Sequence, residues 1–203
     1  IGGGSGKFSI RCTEHRHHVF LYDSNKDMLA GAASSVKGTG SQPLLETYSG
    51  DFLAEKNGIS KLYDLVALHG SAEWMNDPKQ AIIKATGYVK PGALMSLLVF
   101  NKNKYLLKRG ISGHLLKSGK ASKRHNLTPP GALSPAEIIS ILKHTPGKIL
   151  CQSGIRVFFN FFRQLPVDVL TPGEWLEQER NYYRTDPFKS LGEHTHFIWQ
   201  KDI

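Results

Sequence analysis

Gly2-Gly3-Gly4-Ser5-Gly6 is followed by an amphipathic segment and then by the apolar run Val19-Phe20-Leu21-Tyr22, which ends in Asp23. That is the order of a nucleotide-binding βαβ unit. Glycines let a backbone approach a ligand closely, and a carboxylate roughly 20 positions later can accept hydrogen bonds from ribose hydroxyls. The same glycine composition also suits a flexible linker. Ser24 and Asn25 can serve this ligand or cap the next helix. Ser49-Gly50-Asp51 closes a second apolar run, and Asp51 is either a ligand acceptor or a cap. His69 closes a third, Asp64 to Leu68, and either faces the ligand edge of a parallel sheet or packs internally. The cluster His15-Arg16-His17-His18 lacks an i, i+4 histidine pair, so no metal site is expected.

These residues need an open parallel sheet to position them. Gly6 to His15 reads as a helix, His18 to Asp23 as a strand, and Asn25 caps the next helix. Leu44 to Tyr48 and Asp64 to Leu68 are strands, the latter apolar enough to be covered on both faces. Asp77-Pro78 opens a helix, Lys90-Pro91-Gly92 reads as a turn, and Ala93 to Phe100 as a strand. Ser134 starts a helix, Lys148 to Cys151 resumes the sheet, and Thr171-Pro172-Gly173-Glu174 has the composition of a capping box. His194 to Gln200 alternates as a terminal strand. The alternation of strands and helices predicts an α/β fold with helices on both faces of the sheet.

The chain carries 26 Lys and Arg against 17 Asp and Glu, a net charge of +9, which favours a polyanionic partner or serves solubility. Between Lys102 and Arg124 the basic residues Lys102, Lys104, Lys108, Arg109, Lys117, Lys120, Lys123 and Arg124 occur without one Asp or Glu. Tyr105 and His114 are interleaved with them and suited to stacking on bases. No apolar stretch is long enough to span a membrane. Cys12 and Cys151 stand apart, without CxxC spacing, so a reduced, cytoplasmic protein is expected.

The glycine loop, the acidic end of the next strand, Gly50-Asp51 and Lys90-Pro91-Gly92 together resemble class I S-adenosylmethionine-dependent methyltransferases. The segment from His69 through Glu73-Trp74 to Asp77-Pro78 resembles the HxxLEWxxDP segment of bacterial tRNA 5-carboxymethoxyuridine methyltransferases. Gly154-Ile155-Arg156-Val157-Phe158, Tyr183-Arg184 through Pro187 to Gly192, and the basic stretch before Leu127-Thr128-Pro129 are similar to that family as well.

The resemblance implies a Rossmann-like class I methyltransferase fold with a mostly parallel seven-stranded sheet and an antiparallel last strand. It also implies an N-terminal helix and a first strand ahead of the glycine loop, where this chain carries only Ile1, so a gap in the sheet is expected. Residues 1–101 would be the cofactor-binding half, 102–133 a basic insertion for tRNA, and 134–203 the rest of the sheet with the substrate-side elements. S-adenosylmethionine would be held by Gly2, Gly3, Gly4, Gly6, Asp23, Ser24, Ser49, Gly50, Asp51 and His69, with Asp51 at the adenine.

Arg156, Tyr183 and Arg184 would meet a carboxylate-bearing wobble nucleoside, although Arg156 can equally pair with an internal acid. Lys104, Lys117, Lys120, Lys123 and Arg124 would meet the tRNA anticodon stem-loop, and the assembly would be a homodimer. The implied reaction methylates an already ionised carboxylate, so no general base is expected. The alternatives are a methyltransferase of the same fold acting on a small carboxylate or phenol, and a non-catalytic RNA-binding protein.

Overall fold

The computed structural model describes residues 1–55, 61–113, 129–159 and 171–203. Helix α1 (Lys7–Glu14) follows the glycine loop, and β1 (Val19–Asp23) follows it in turn. Helix α2 (Lys26–Val36) is capped by Asn25, whose side chain accepts from the N–H groups of Asp27 and Met28. Strand β2 (Leu45–Ser49) lies parallel to β1, with Val19 opposite Leu45 and Asp23 opposite Ser49.

A second crossover unit comprises β3 (Tyr63–His69), α3 (Pro78–Gly87) and β4 (Val89–Phe100), with Asp77 as the cap of α3. Helices α4 (Lys102–Ile111) and α5 (Pro135–Lys143) lead to β5 (Gly147–Ile155); α6 (Pro172–Tyr182) precedes β6 (His194–Lys201). Capping boxes at Ser134 with Glu137 and at Thr171 with Glu174 start α5 and α6, satisfying N–H groups that a helix end leaves bare.

The α/β expectation with an antiparallel final strand holds. Strands β3, β4, β6 and β5 form one sheet in that order, with β6 antiparallel to both neighbours. Instead of one continuous sheet, β1 and β2 form a separate parallel pair. A cavity of about 750 Å³ lies between the two sheets, lined by Val19, Leu21, Tyr63, Leu65 and Ala67 among others. Residues 1–3 cross this gap. The nitrogen of Ile1 donates to the Ala67 carbonyl at 2.8 Å, and the Gly2 N–H donates to the Tyr22 carbonyl at 2.7 Å.

One sequence expectation fails. Lys90-Pro91-Gly92 is not a turn before the strand but lies within β4. Tyr63 pairs with Val89 and Leu65 with Leu94, so residues 90–93 stand opposite Asp64 alone. The extra length is absorbed as a bulge, a place where proline's missing N–H costs no ladder bond. Lys90 also pairs there with Asp64 at 2.8 Å.

The core fills one face of the four-stranded sheet. Val66 and Leu68 of β3, Met95, Leu97 and Val99 of β4, and Phe197 and Trp199 of β6 cluster with Ala81, Ile82 and Ala85 of α3 and Ile138 and Leu142 of α5. Leu68 is fully buried, whereas Leu65, on the opposite face of the same strand, is 47% exposed. Leu68→Ala is therefore expected to destabilise the fold by about 2–5 kcal/mol in urea denaturation, and Leu65→Ala by about 1 kcal/mol or less. Equal losses would overturn this assignment of faces.

Candidate functional site

The carboxyl ends of β1, β2 and β3 carry the residues singled out in the sequence. Asp23 Oδ2 accepts from the Gly4 N–H at 2.7 Å, and Oδ1 accepts from Asn25 N–H at 2.9 Å. Gly2 has a φ of +62°, and an added Cβ would collide with Ser71, so close backbone approach is built into the loop. Gly50 is required for a different reason: a side chain there would strike the Tyr22 hydroxyl. The Gly50 N–H donates to the Asp23 carbonyl at 3.1 Å, which joins the two strand ends. Ser24, Ser49 and Asp51 are exposed beside them.

Asp51 Oδ1 accepts from Leu53 N–H at 2.9 Å, the capping arrangement the sequence also allowed. The loop after it is tied to α3. The Lys84 ammonium donates to the carbonyls of Phe52, Leu53 and Glu55 and sits 5.2 Å from the centre of the Phe52 ring.

His69 packs against Phe8 of α1 with ring centres 5.2 Å apart, and its Nε2 lies 2.8 Å from Ser96 Oγ. Burial, then the neighbouring His196, holds its imidazole well below the usual range, at about 4. His194 and His196 are likewise lowered, chiefly by burial. The structure thus unites Gly2, Gly3, Gly4, Gly6, Asp23, Gly50 and His69 along one edge. Among the described residues no group of His, Cys, Asp and Glu is arranged to hold a metal ion.

Arg156 and Tyr183 lie at the carboxyl end of β5, around a second cavity of about 670 Å³ that Phe159, Trp175 and Glu179 also line. Arg156 adopts a left-handed backbone with φ 58°, its guanidinium 5.1 Å from the Phe159 ring centre and 3.8 Å from Glu193. Arg184 lies 4.9 Å from the ring centre of Tyr183.

Two structural residues here escaped the sequence reading. Glu179 accepts from the N–H groups of Val157, Phe158 and Phe159 at 2.8–2.9 Å. Asn101, fully buried, donates to the carbonyls of Ser190 and Gly192 at 2.9 Å each. The position of Asn101 just after an apolar strand, where a helix cap belongs, was the available signal.

Lys104 is a correction. It is 7% exposed, and its ammonium donates to the Val157 carbonyl at 2.9 Å, so it ties α4 to the segment just after β5 instead of standing free on the surface. Lys102 also departs from the single-sign pattern, pairing with Glu137 at 3.0 Å. Lys117, Lys120, Lys123, Arg124 and His114 lie outside the described residues.

Residues 1–97 match the family model described as a methyltransferase domain. The tRNA 5-carboxymethoxyuridine methyltransferase of Escherichia coli K12 is 25% identical, over 98% of this chain and 78% of its own length. A methyltransferase from Methanosarcina mazei, 18% identical, superposes with a TM-score of 0.63 over all of this chain and 91% of that one. The magnesium protoporphyrin IX methyltransferase of Synechocystis with bound SAH, 15% identical, gives a TM-score of 0.63 over 99% of this chain and 72% of that one. The fold is the Rossmann-like class I methyltransferase fold.

Glu73 fixes the loop that follows β3. It is 1% exposed, and its Oε1 accepts from Phe100 N–H at 2.9 Å, pinning the loop after β3 to the end of β4. Burial raises its carboxyl above the ordinary value of 4.5. The folded state therefore holds this proton more tightly than the unfolded chain, and stability falls as pH rises from about 4.5 through the raised value. Glu73→Gln keeps the acceptor without the charge, so its advantage over the parent in thermal unfolding should widen from pH 4.5 to pH 8. Parallel stability curves would overturn that account.

Proposed function

We propose that this chain transfers the methyl group of S-adenosylmethionine to the carboxylate of 5-carboxymethoxyuridine in the anticodon loop of tRNA, forming the methyl ester. S-adenosylmethionine is the cofactor and methyl transfer the reaction class, from the family match and the fold. The finer assignment is carried by the similarity to the Escherichia coli tRNA enzyme along nearly the whole chain.

The residues present fit that cofactor. Gly4, with open space where a side chain would stand, leaves room for close contact, the Asp23 carboxylate stands at the end of β1 for ribose hydroxyls, and Gly50-Asp51 lies beside it. The sulfonium supplies an activated methyl group, and the chain's own residues need only orient the acceptor and exclude water. An ionised carboxylate has no proton to lose, so a site whose buried histidines are held neutral suits it. Arg156 orients the carboxylate from the end of β5. The exposed half of its guanidinium leaves room for a second acid besides Glu193, whose 3.8 Å approach is loose. Tyr183 and Arg184 form an adjoining stacked surface for an unstacked base.

Incubation with S-adenosylmethionine and tRNA bearing the carboxymethoxyuridine should yield its methyl ester on nucleoside mass spectrometry, and tRNA with unmodified uridine at that position should give none. Arg156→Ala should lower kcat/KM by about 10- to 100-fold, with Arg156→Lys only partly restoring it. Equal methylation of small carboxylates without RNA would favour the small-molecule reading instead.

A further inference from the structure

The turn after β2 is closed from both ends. At its start, Asp51 Oδ1 accepts from the N–H groups of Leu53 at 2.9 Å and Ala54 at 3.3 Å, and the Asp51 carbonyl accepts from Glu55 N–H at 3.0 Å. At its end, the carbonyls of Phe52, Leu53 and Glu55 converge on the Lys84 ammonium. An ammonium has three N–H donors, and three carbonyls match them. Lys84 stands in the last turn of α3, where a lysine ordinarily serves its own helix end. Here it reaches another element instead. It is half-buried over the ring of Phe52, which is 4% exposed and packs edge-on against Tyr22.

The capping bonds occupy Oδ1, and among the described residues no donor reaches Asp51 Oδ2, although the residue is exposed. Its place in the fold defines what that oxygen meets. Asp23 and Ser49 stand opposite each other on parallel strands, which run about 5 Å apart, so a ribose held at Asp23 carries its base toward the end of β2. A carboxylate there accepts from an exocyclic amine and repels a carbonyl oxygen. We infer that Lys84 is a positioning residue for Asp51 and thereby sets the base selectivity for the cofactor: its three bonds hold the turn so that Oδ2 meets the adenine 6-amine. This inference rests on S-adenosylmethionine as the cofactor and not on the tRNA acceptor proposed above.

Calorimetry on the whole chain tests this without methyl transfer, using S-adenosylhomocysteine and S-inosylhomocysteine, which carries a carbonyl in place of the amine. The parent is expected to prefer the adenine ligand by about tenfold or more. Asp51→Asn keeps the capping oxygen and puts an N–H2 group in place of Oδ2, so it should lose or reverse that preference. Lys84→Met leaves three carbonyls bare. It should weaken S-adenosylhomocysteine by about three- to tenfold and leave S-inosylhomocysteine unchanged. Lys84→Arg, a cation with several donors, should recover most of the preference. Lys84→Gln keeps two N–H donors and should show an intermediate preference, which decides the point where Lys84→Met fails to fold. Full parental preference in Lys84→Met or Lys84→Gln would overturn the positioning role. Equal weakening of both ligands, the mark of a general loss of structure, would overturn it as well. A parent that binds both ligands equally, or Asp51→Asn that still prefers adenine, would overturn the Asp51 contact. A parent that binds neither would overturn the cofactor reading together with the inference.

Discussion

The arrangement depends on a few main-chain hydrogen bonds made by the first four residues. Strands β1 and β3 belong to different sheets, and their facing edges share no ladder. Ile1 donates to β3 at Ala67, Gly2 and Gly3 donate to β1 at Tyr22, and Gly4 donates to the Asp23 carboxylate. Ser71 adds a bond from its hydroxyl to the Ile1 carbonyl at 3.2 Å. Buried backbone groups seek such partners, and here the need is met by the segment that also forms the ligand loop. The glycine loop thus ties the Asp23 end of the crevice to β3 near His69.

Charge plays a more structural part than the composition indicates. Lys84 donates to three carbonyls after β2, Lys104 to Val157, and Lys201 to Val89 at 2.9 Å. Lys90, Lys102 and Lys189 pair with acids. Six of the described lysines thereby help hold loops, helices and strand ends. Around the second cavity stand Arg156 and Arg180, with Arg184 next to Tyr183; Arg156 and Arg184 both lie over aromatic rings. Beyond His69 lie His196 and Ser96, with both imidazoles lowered chiefly by burial.

Local chemistry made much of this legible in advance. Asn25, Asp77, Ser134 and Thr171 cap where their side chains say they should, since a cap depends on a few neighbouring residues. Asp23 and Gly50 meet at the strand ends because both were placed by the same crossover logic. Lys90-Pro91-Gly92 misled, because a bulge and a turn use the same residues and only strand pairing tells them apart. Lys104 misled because a run of like charges does not say which member of a helix turns inward. Glu179 and Ser96 were invisible for a different reason: their partners come from other segments, and nothing local marks such a meeting.

The anchoring of α6 has a mechanical consequence. Glu179 takes three successive N–H groups beyond β5, and Tyr183, one turn later, gives its carbonyl to Gly154 N–H at 2.7 Å. All four bonds refer one helix to one strand end, in a single register. A slip of α6 by one residue would rotate Glu179 by about 100° about the helix axis and forfeit all four together. Arg156, which sits among these bonds between Gly154 and Val157, therefore keeps its place only while α6 keeps this register.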